Sequence, residues 1–223
     1  YNYLGRIVAD KRVMVASEIS GITSFEDLMN NGTTEIVGAT GLGGSTYVDA
    51  VITGEVLAID QRVVHGFDRS GDIRTAMLRG DVQTMWGSLG SALSGIEDGD
   101  LKIILHGEKV ATGMLEGIPS IYDIAMTMDD GEKRVKCLES WEALSAVGRP
   151  VAAPPGIPED RLAFVREAFA QAMNDPEFVA SSLESDRELS FATGEDMSRI
   201  AKSATELEPD VTELFVKAIR GEI

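Results

Sequence analysis

Short apolar segments alternate with helical segments along the first two thirds of this chain, and this order limits the folds open to it. The pattern predicts extended segments at residues 7–9, 13–16, 35–38, 63–65, 82–85 and 101–105. Helices are predicted after most of them: one capped by Ser24, one from Ser45 to about Leu57, and one that stops at Gly80. Strands that alternate with helices form β–α–β units, in which the strands lie parallel in one sheet. The sequence therefore predicts an α/β fold with a largely parallel sheet.

The last third of the chain is mostly helical. A rigid segment, Ala153-Pro-Pro-Gly-Ile-Pro158, leads into a predicted amphipathic helix. The apolar side chains on one face of that helix are Leu162, Val165, Phe169 and Met173. Further helices are predicted at residues 177–185, 195–207 and 210–220. Helices with few strands need a sheet to cover, so we expect part of their packing partner to lie outside the given sequence.

Charge and cysteine content exclude several classes of function. Lys and Arg number 20 against 37 Asp and Glu, a net charge of −17, and such a surface repels nucleic acid and anionic lipid. No apolar run approaches the ~20 residues of a membrane-spanning helix. Cys137, His65 and His106 are the only residues of their kinds and lack zinc-binding spacing. We therefore expect no metal, no cofactor, no nucleic-acid partner and no direct membrane insertion.

The strongest local signal is the glycine-rich segment Gly38-Ala-Thr-Gly-Leu-Gly-Gly-Ser-Thr46, between a predicted strand and a predicted helix. Glycine lets a ligand approach the main chain, and the start of a helix presents unpaired N–H groups and a positive dipole end. Such a segment suits a carboxylate or a phosphate. The candidate ligand-binding residues here are Thr40, Gly41, Gly43, Gly44, Ser45 and Thr46. The alternative is a simple turn in which Ser45 caps the helix.

Two nucleotide-binding interpretations compete for the same segment. A Walker A loop needs a lysine before the final Ser or Thr, and that lysine is absent. A dinucleotide fingerprint needs three glycines, but Gly41 and Gly43 are followed by Thr46 in the third position. Asp60 stands before the next predicted strand, where the fingerprint requires an acidic residue at its end. Both interpretations are disfavoured, and a small nucleotide-dependent enzyme stays an alternative.

Two more segments follow predicted strands, Gly66-Phe-Asp-Arg-Ser-Gly71 and Trp86-Gly-Ser-Leu-Gly-Ser91. The carboxyl ends of parallel strands meet at one edge of a sheet, which is where α/β proteins bind ligands. Arg69 offers a bidentate partner for a carboxylate, although a lone loop arginine is commonly only solvated, and Trp86 suits a core as well as a pocket wall. The candidate ligand-binding residues here are Phe67, Arg69, Ser70, Gly71, Trp86, Gly87 and Ser88.

A set of catalytic residues is not apparent. The sequence has no G-x-S-x-G nucleophile motif. His65 is predicted inside a strand and therefore in the core, whereas His106 is predicted at a strand end on the surface. We therefore expect a binding protein, and no catalytic residue is predicted.

Four segments taken in order resemble the receptors of tripartite tricarboxylate transporters, the TctC or Bug family. They are the glycine-rich segment, residues 73–86 (IRTAMLRGDVQTMW), residues 89–104 (LGSALSGIEDGDLKII), and the pair APPGIPEDRL at 153–162 with MNDPEF at 173–178. The resemblance covers nearly the whole chain. The family's usual Tyr-Lys-Gly is replaced by Phe67-Asp68-Arg69, so a di- or tricarboxylate ligand does not follow.

The resemblance implies a periplasmic-binding-protein type II-like fold of two lobes. Residues 1–16 and 149–223 would form part of the first lobe, and residues 17–148 the second. It further implies a periplasmic receptor that delivers a small organic carboxylate to membrane permease subunits, and a first lobe that lacks its N-terminal segment. The chain begins at Tyr1 without signal features, as expected of a processed chain. A sensory or interaction domain with the receptor fold is the other alternative.

Overall fold

The strands and helices of the chain were assigned in a computed structural model, which describes residues 1–185, 187, 189–207 and 209–222. The strands are β1 Asn2–Arg6, β2 Arg12–Ser17, β3 Glu35–Gly38, β4 Gln61–Val64, β5 Thr84–Ser88, β6 Leu101–His106, β7 Pro150–Ala153 and β8 Ala192–Thr193. The helices are α1 Phe25–Asn30, α2 Ser45–Leu57, α3 Ser70–Arg79, α4 Leu89–Glu97, α5 Ile121–Thr127, α6 Gly131–Ser145, α7 Glu159–Met173, α8 Pro176–Glu184, α9 Gly194–Ser203 and α10 Pro209–Arg220. None of the described helices is long and apolar enough to cross a bilayer.

Two compact units divide the chain. The smaller unit combines Tyr1–Asp10 with Glu142–Leu207, and the larger combines Lys11–Trp141 with Glu208–Ile223. The sequence-based division placed residues 11–16 and the last helix in the first lobe and residues 142–148 in the second. In the structure β2 pairs with β5 and β6, and α10 packs on α2. The two divisions differ because strand partners and helix packing depend on tertiary contacts that a local pattern does not contain.

The larger unit is built on a five-stranded sheet of order β4-β3-β5-β2-β6. β3 is parallel to β4 and to β5, whereas β2 is antiparallel to both of its neighbours, β5 and β6. The prediction of α/β structure is confirmed, and the sheet is mixed, with one reversed strand. All six residues of β2 are buried, as expected for a strand with partners on both edges and helices on both faces.

Helices cover both faces of this sheet. Val13 and Val15 of β2 share a core with Ile73 of α3 and Ala92 of α4, so α3 and α4 lie on that face. Successive side chains of a strand point to opposite faces, and α2 packs against β3, β4 and β5 on the other face. Gly54 of α2 permits this packing, because an added Cβ would lie 1.9 Å from the Gln61 side chain.

Several local signals in the sequence are confirmed. Ser24 caps α1 by accepting a hydrogen bond from the Asp27 N–H at 3.1 Å. Gly80 ends α3 in the left-handed conformation, at φ 80°, and Pro158 directly precedes α7. These signals concern helix ends, where the side chain and the backbone groups that it satisfies are close in sequence.

Both histidine predictions are wrong about burial. His65 lies just after β4 and is exposed, with its ring 5.4 Å from the Tyr47 ring. His106 is the last residue of β6, yet only 1% of it is exposed. Its Nε2 is 3.1 Å from the Ile118 carbonyl, and the Glu108 N–H donates to its Nδ1. Burial lowers the pKa of His106. The chain that folds over the end of β6 buries this residue.

A buried network joins β2, α2 and α6. Arg12 donates to the Asp49 carboxylate through Nε, at 2.7 Å, and also through Nη2. Trp141 Nε1 donates to the other Asp49 oxygen at 2.8 Å. Asp49 is only 3% exposed and Arg12 8%. Burying two charges is unfavourable unless they are paired and hydrogen-bonded, and here both carboxylate oxygens have donors.

The smaller unit has a three-stranded antiparallel sheet of order β7-β1-β8. Arg166 of α7 donates to the Tyr3 carbonyl at 2.8 Å, which fixes α7 on β1. Of the residues on the predicted apolar face of α7, only Met173 is buried. Phe164 on the same helix is 71% exposed. The helix forms as predicted, but much of its apolar surface has no cover within the described part of the smaller unit.

Replacing Asp49 with Ala should destabilise the protein by about 3–5 kcal/mol, because the Arg12 charge would remain buried without its partner. Asp81→Ala is the matched control, since Asp81 pairs with Arg79 at 3.0 Å on an exposed surface and its loss should change stability by less than ~1 kcal/mol. Urea denaturation followed by circular dichroism measures both. Equal effects of the two substitutions would contradict the structural importance of the buried network.

The buried carboxyl group of Glu35 should give the stability of the protein an unusual dependence on pH. It is 1% exposed, and neither carboxylate oxygen makes a hydrogen bond of normal geometry with the described residues. Burial raises its pKa from 4.5 to about 7, offset slightly by the nearby Thr84 hydroxyl. The folded state therefore retains a proton that the unfolded state releases. The resulting stabilisation is complete below pH 4.5 and is lost as pH rises through 7.

The Glu35→Gln variant should be insensitive to this titration. We expect the free energy of unfolding of the wild type to fall relative to the variant by on the order of 2 kcal/mol between pH 4.5 and 8. Urea denaturation of both proteins over this range measures the difference. Parallel pH profiles would show that Glu35 titrates normally.

Candidate functional site

The first two predicted loops meet at one edge of the larger unit's sheet. β3 and β4 are adjacent and parallel, so the connections from β3 to α2 and from β4 to α3 leave the same edge. Main-chain hydrogen bonds join them: Gly66 N–H donates to the Thr40 carbonyl at 3.3 Å, and Phe67 N–H donates to the Ala39 carbonyl at 3.4 Å. β5 lies on the other side of β3 and leads directly into α4. The first two of the three predicted loops therefore lie together at this edge.

The glycine-rich loop is held by two threonines. The Thr40 N–H donates to Thr46 Oγ1 at 2.9 Å, and the two threonine hydroxyl oxygens are 2.8 Å apart. Thr46 is 5% exposed, so its hydroxyl belongs to the structure of the loop. Gly44 must be a glycine, because an added Cβ would lie 2.6 Å from Thr40 Oγ1. Gly43 has a φ of 75°, which also favours glycine.

The start of α2 leaves main-chain donors available. Gly44 is the N-cap, with no side-chain capping bond, so the interpretation of Ser45 as the cap is wrong. Ser45 is exposed. The hydrogen bonds of the described residues include none from the N–H of Ser45 or Thr46, whereas Tyr47 N–H donates to the Gly44 carbonyl. Unpaired N–H groups at the positive end of a helix can bind an anion.

The second loop provides an exposed positive charge and another helix start. Arg69 is the N-cap of α3, and its side chain is 82% exposed, with Nε 3.6 Å from Asp72. An exposed pair at that distance contributes little, so Arg69 can turn towards a ligand. Ser70 and Gly71 begin α3, and Phe67 is half-buried against the core between α3 and the sheet.

The third predicted loop is largely absent. β5 extends to Ser88, and α4 starts at the next residue, so Trp86 and Gly87 lie in a buried strand. Trp86 is fully buried, with its ring 6.0 Å from the Trp141 ring, and the prediction that it forms a pocket wall is wrong. Ser88 caps α4 through the Ser91 N–H. Of the three predicted residues Trp86, Gly87 and Ser88, Gly87 lines a cavity.

A cavity of about 170 Å³ lies between α3 and α4. It is lined by three of the predicted residues, Ser70, Gly71 and Gly87. The other polar lining residues were not predicted from the sequence, and they are Arg74, Ser91 and Ser94. The spacing of Ser70 and Arg74, one helical turn apart, and of Ser91 and Ser94 places each pair on one helix face. This spacing can be seen in the sequence, but it does not show which faces of α3 and α4 pack beside each other.

The positive charge of Arg74 is already neutralised. Arg74 donates to Ser94 Oγ at 2.9 Å, to Asp98 at 2.8 Å and to Asp100 at 2.6 Å. The hydrogen bond with Asp100 makes the largest contribution, and together these hydrogen bonds raise the pKa of Arg74. The side chain is therefore a fixed part of the cavity wall. Among the described residues, no group of three His, Cys, Asp or Glu side chains could hold a metal ion.

The C-terminal helix contacts the glycine-rich loop within the larger unit. An added Cβ on Gly43 would lie 3.6 Å from Ile219 of α10, and one on Gly221 would lie 3.1 Å from the Leu42 side chain. Val211, Phe215 and Ala218 of α10 are buried, and the helix packs on α2. No local pattern in the sequence predicted that α10 lies beside the site.

Solved structures share this fold. A TctC solute-binding protein from Polaromonas has a TM-score of 0.65 at 13% identity, covering 97% of this chain and 69% of that one. The periplasmic binding protein BugD gives 0.69 at 15% identity, with the same coverage. MatC from Rhodopseudomonas palustris, with bound malate, gives 0.68 at 13% identity, covering 96% and 69%. No protein-family model and no curated protein matches the sequence.

The prediction of an α/β periplasmic-binding-protein fold is thereby confirmed. The neighbours are of the TctC and Bug kind that the sequence motifs resemble. This chain corresponds to about 69% of the length of each.

Replacing Thr46 with Val should loosen the glycine-rich loop. The Thr40 N–H would lose its acceptor, which should destabilise the protein by about 1–2 kcal/mol. Thr46→Ser keeps the hydroxyl and is the control. Urea denaturation measures the stability, and hydrogen exchange at the Thr40 amide measures the loop. Slow exchange in Thr46→Val, equal to that in Thr46→Ser, would contradict this account.

Proposed function

We propose that this chain is part of an extracytoplasmic solute-binding receptor, in the periplasm, that captures a small organic carboxylate. It would deliver that ligand to the membrane permease subunits of a tripartite tricarboxylate-type transporter. The main support is the meeting of helix starts with available N–H groups at one edge of the sheet. The fold shared with a TctC protein, with BugD and with the malate-bound MatC supports the same conclusion.

The proposed site binds an anion despite the net charge of −17. The Ser45 and Thr46 N–H groups donate to the carboxylate, and the Ser45 hydroxyl adds a donor from its exposed position. Arg69 supplies a positive charge that is free to reorient. Local donors of this kind attract a carboxylate over short distances, while the negative surface acts mainly at longer range and is screened by salt.

We further propose that the two compact units belong to the two lobes of the receptor. The larger unit carries the loops of the second lobe, and the smaller unit forms part of the first. The exposed apolar surface of α7, including Phe164, supports a further polypeptide layer over the smaller unit. About a third of each solved neighbour has no counterpart in this sequence, and a layer of that kind fits this surface.

The Ser45→Pro variant tests the proposed anion site. Proline removes the Ser45 N–H and is well tolerated at the first position of a helix. Gly44 already has the extended conformation that precedes proline, at φ −69° and ψ 151°. We expect carboxylate affinity to fall about tenfold or more, with an unchanged melting temperature. Titration calorimetry with malate, succinate, citrate and acetate measures binding.

Ser45→Ala is the matched control, because it removes the hydroxyl and retains the N–H group. We expect its loss of affinity to be smaller than that of Ser45→Pro. NAD and ATP are included in the same titrations to test the enzyme alternative. Binding of a nucleotide without any carboxylate would refute the receptor proposal. Carboxylate binding that Ser45→Pro leaves intact would refute the anion site at Ser45.

A further inference from the structure

We infer that the cavity between α3 and α4 receives the hydrocarbon part of the ligand, so that the site selects carboxylates with a short unbranched aliphatic chain. This inference rests on the proposed function and specifies its ligand class. The carboxylate would bind at the loop edge, and the chain would extend between the two helices.

The floor of the cavity is apolar. Five lining residues have hydrocarbon or thioether side chains and are almost fully buried: Val13, Val15, Met85, Ala92 and Leu101. Each is at most 5% exposed. A polar ligand group placed there would lose its hydrogen bonds to water without replacement, which is unfavourable. Burying a methylene group in the same place is favourable by the hydrophobic effect.

The volume fits a small hydrocarbon. At about 170 Å³, the cavity is slightly larger than the ~150 Å³ apolar cavity of an engineered protein that stays dry and binds benzene. Because Arg74 and Ser91 in the lining are already bonded to protein groups, a water molecule beside the apolar lining residues would have few partners. An aliphatic chain fills such a space better than water does.

The cavity has a polar mouth, formed by residues that directly follow Arg69 of the proposed anion site. Ser70 and Gly71 line it and begin α3, directly after Arg69. The hydrogen bonds of the described residues include none from the N–H of Ser70 or Gly71, whereas the next residue, Asp72, donates to the Arg69 carbonyl. The charged group of a ligand is thus favoured at the mouth and disfavoured in the depth.

The polar side chains that line the cavity do not favour a second carboxylate inside it. Ser91 Oγ donates to the Ser88 carbonyl at 2.8 Å, and Arg74 is held by Ser94, Asp98 and Asp100. Both side chains are committed to protein partners. The far side of the cavity therefore offers no free cation to a second carboxylate, and a monocarboxylate fits better than a dicarboxylate.

Two glycines provide a matched pair of variants. Gly71 lines the cavity, and an added Cβ there would meet no heavy atom within 4 Å. Gly90 has equally open space but is not among the residues that line the cavity. Both are the second residue of their helix. Leucine at position 71 is therefore expected to fill the cavity mouth, and leucine at position 90 is expected to extend into solvent.

The test is titration calorimetry of the 223-residue chain with the straight-chain acids from acetate to octanoate. We expect affinity to rise about three- to fourfold per added methylene until the chain fills the cavity, and then to level off. In Gly71→Leu this dependence on chain length should disappear, and in Gly90→Leu it should remain. Adipate should bind more weakly than hexanoate.

A second measurement uses the wild type alone, so the test does not depend on Gly71→Leu folding. Benzene should compete with hexanoate and leave acetate binding unchanged. Acid binding without dependence on chain length, or without competition by benzene, would overturn this inference and leave the proposed function standing. Failure of the straight-chain acids, with binding of malate, succinate or citrate, would also overturn this inference alone. Failure of every carboxylate to bind would overturn both.

Discussion

The buried contact among Arg12, Asp49 and Trp141 is the constraint on which the larger unit depends. Arg12 belongs to β2, the reversed strand between β5 and β6, and Asp49 belongs to the first turns of α2. Asp49 follows Ser45 by four residues, one helical turn. An ion pair that is held at both carboxylate oxygens therefore fixes the start of α2 relative to the sheet. The direction of the N–H groups that we propose as the anion site follows from this contact.

Local patterns predicted many of the elements but not all of them, and not all of their partners. The extended segment predicted at residues 7–9 is wrong, because β1 ends at Arg6, and α5, α6 and β8 were not predicted. The helix from Ser45 to Leu57, the cap at Ser24 and the end of α3 at Gly80 all depend on residues close in sequence. The reversed strand β2 could not be predicted, because its hydrophobic pattern suits a parallel or an antiparallel partner equally. The burial of His106 has a similar origin, since the segment that covers it, near Ile118, is distant in sequence.

The candidate site was predicted in part for the same reason. Motif spacing located the two loops that meet at the edge of β3 and β4, because strand order implies a shared edge. Trp86 was misplaced because β5 runs three residues beyond the predicted strand and carries the indole into the core. The cavity residues Arg74, Ser91 and Ser94 were missed because their meeting depends on how α3 packs beside α4. The assignment of a ligand role to each loop residue rests on the proposals above.

The tryptophan pair has a practical consequence for spectroscopy. The sequence contains two tryptophans, and both Trp86 and Trp141 lie buried in the larger unit. Their intrinsic fluorescence therefore reports the packing of that unit, and unfolding of the smaller unit alone should leave the emission spectrum almost unchanged. Tyr3, in β1 of the smaller unit, offers only weak emission. A fluorescence melting curve of this protein thus describes one unit, and the other requires a label of its own.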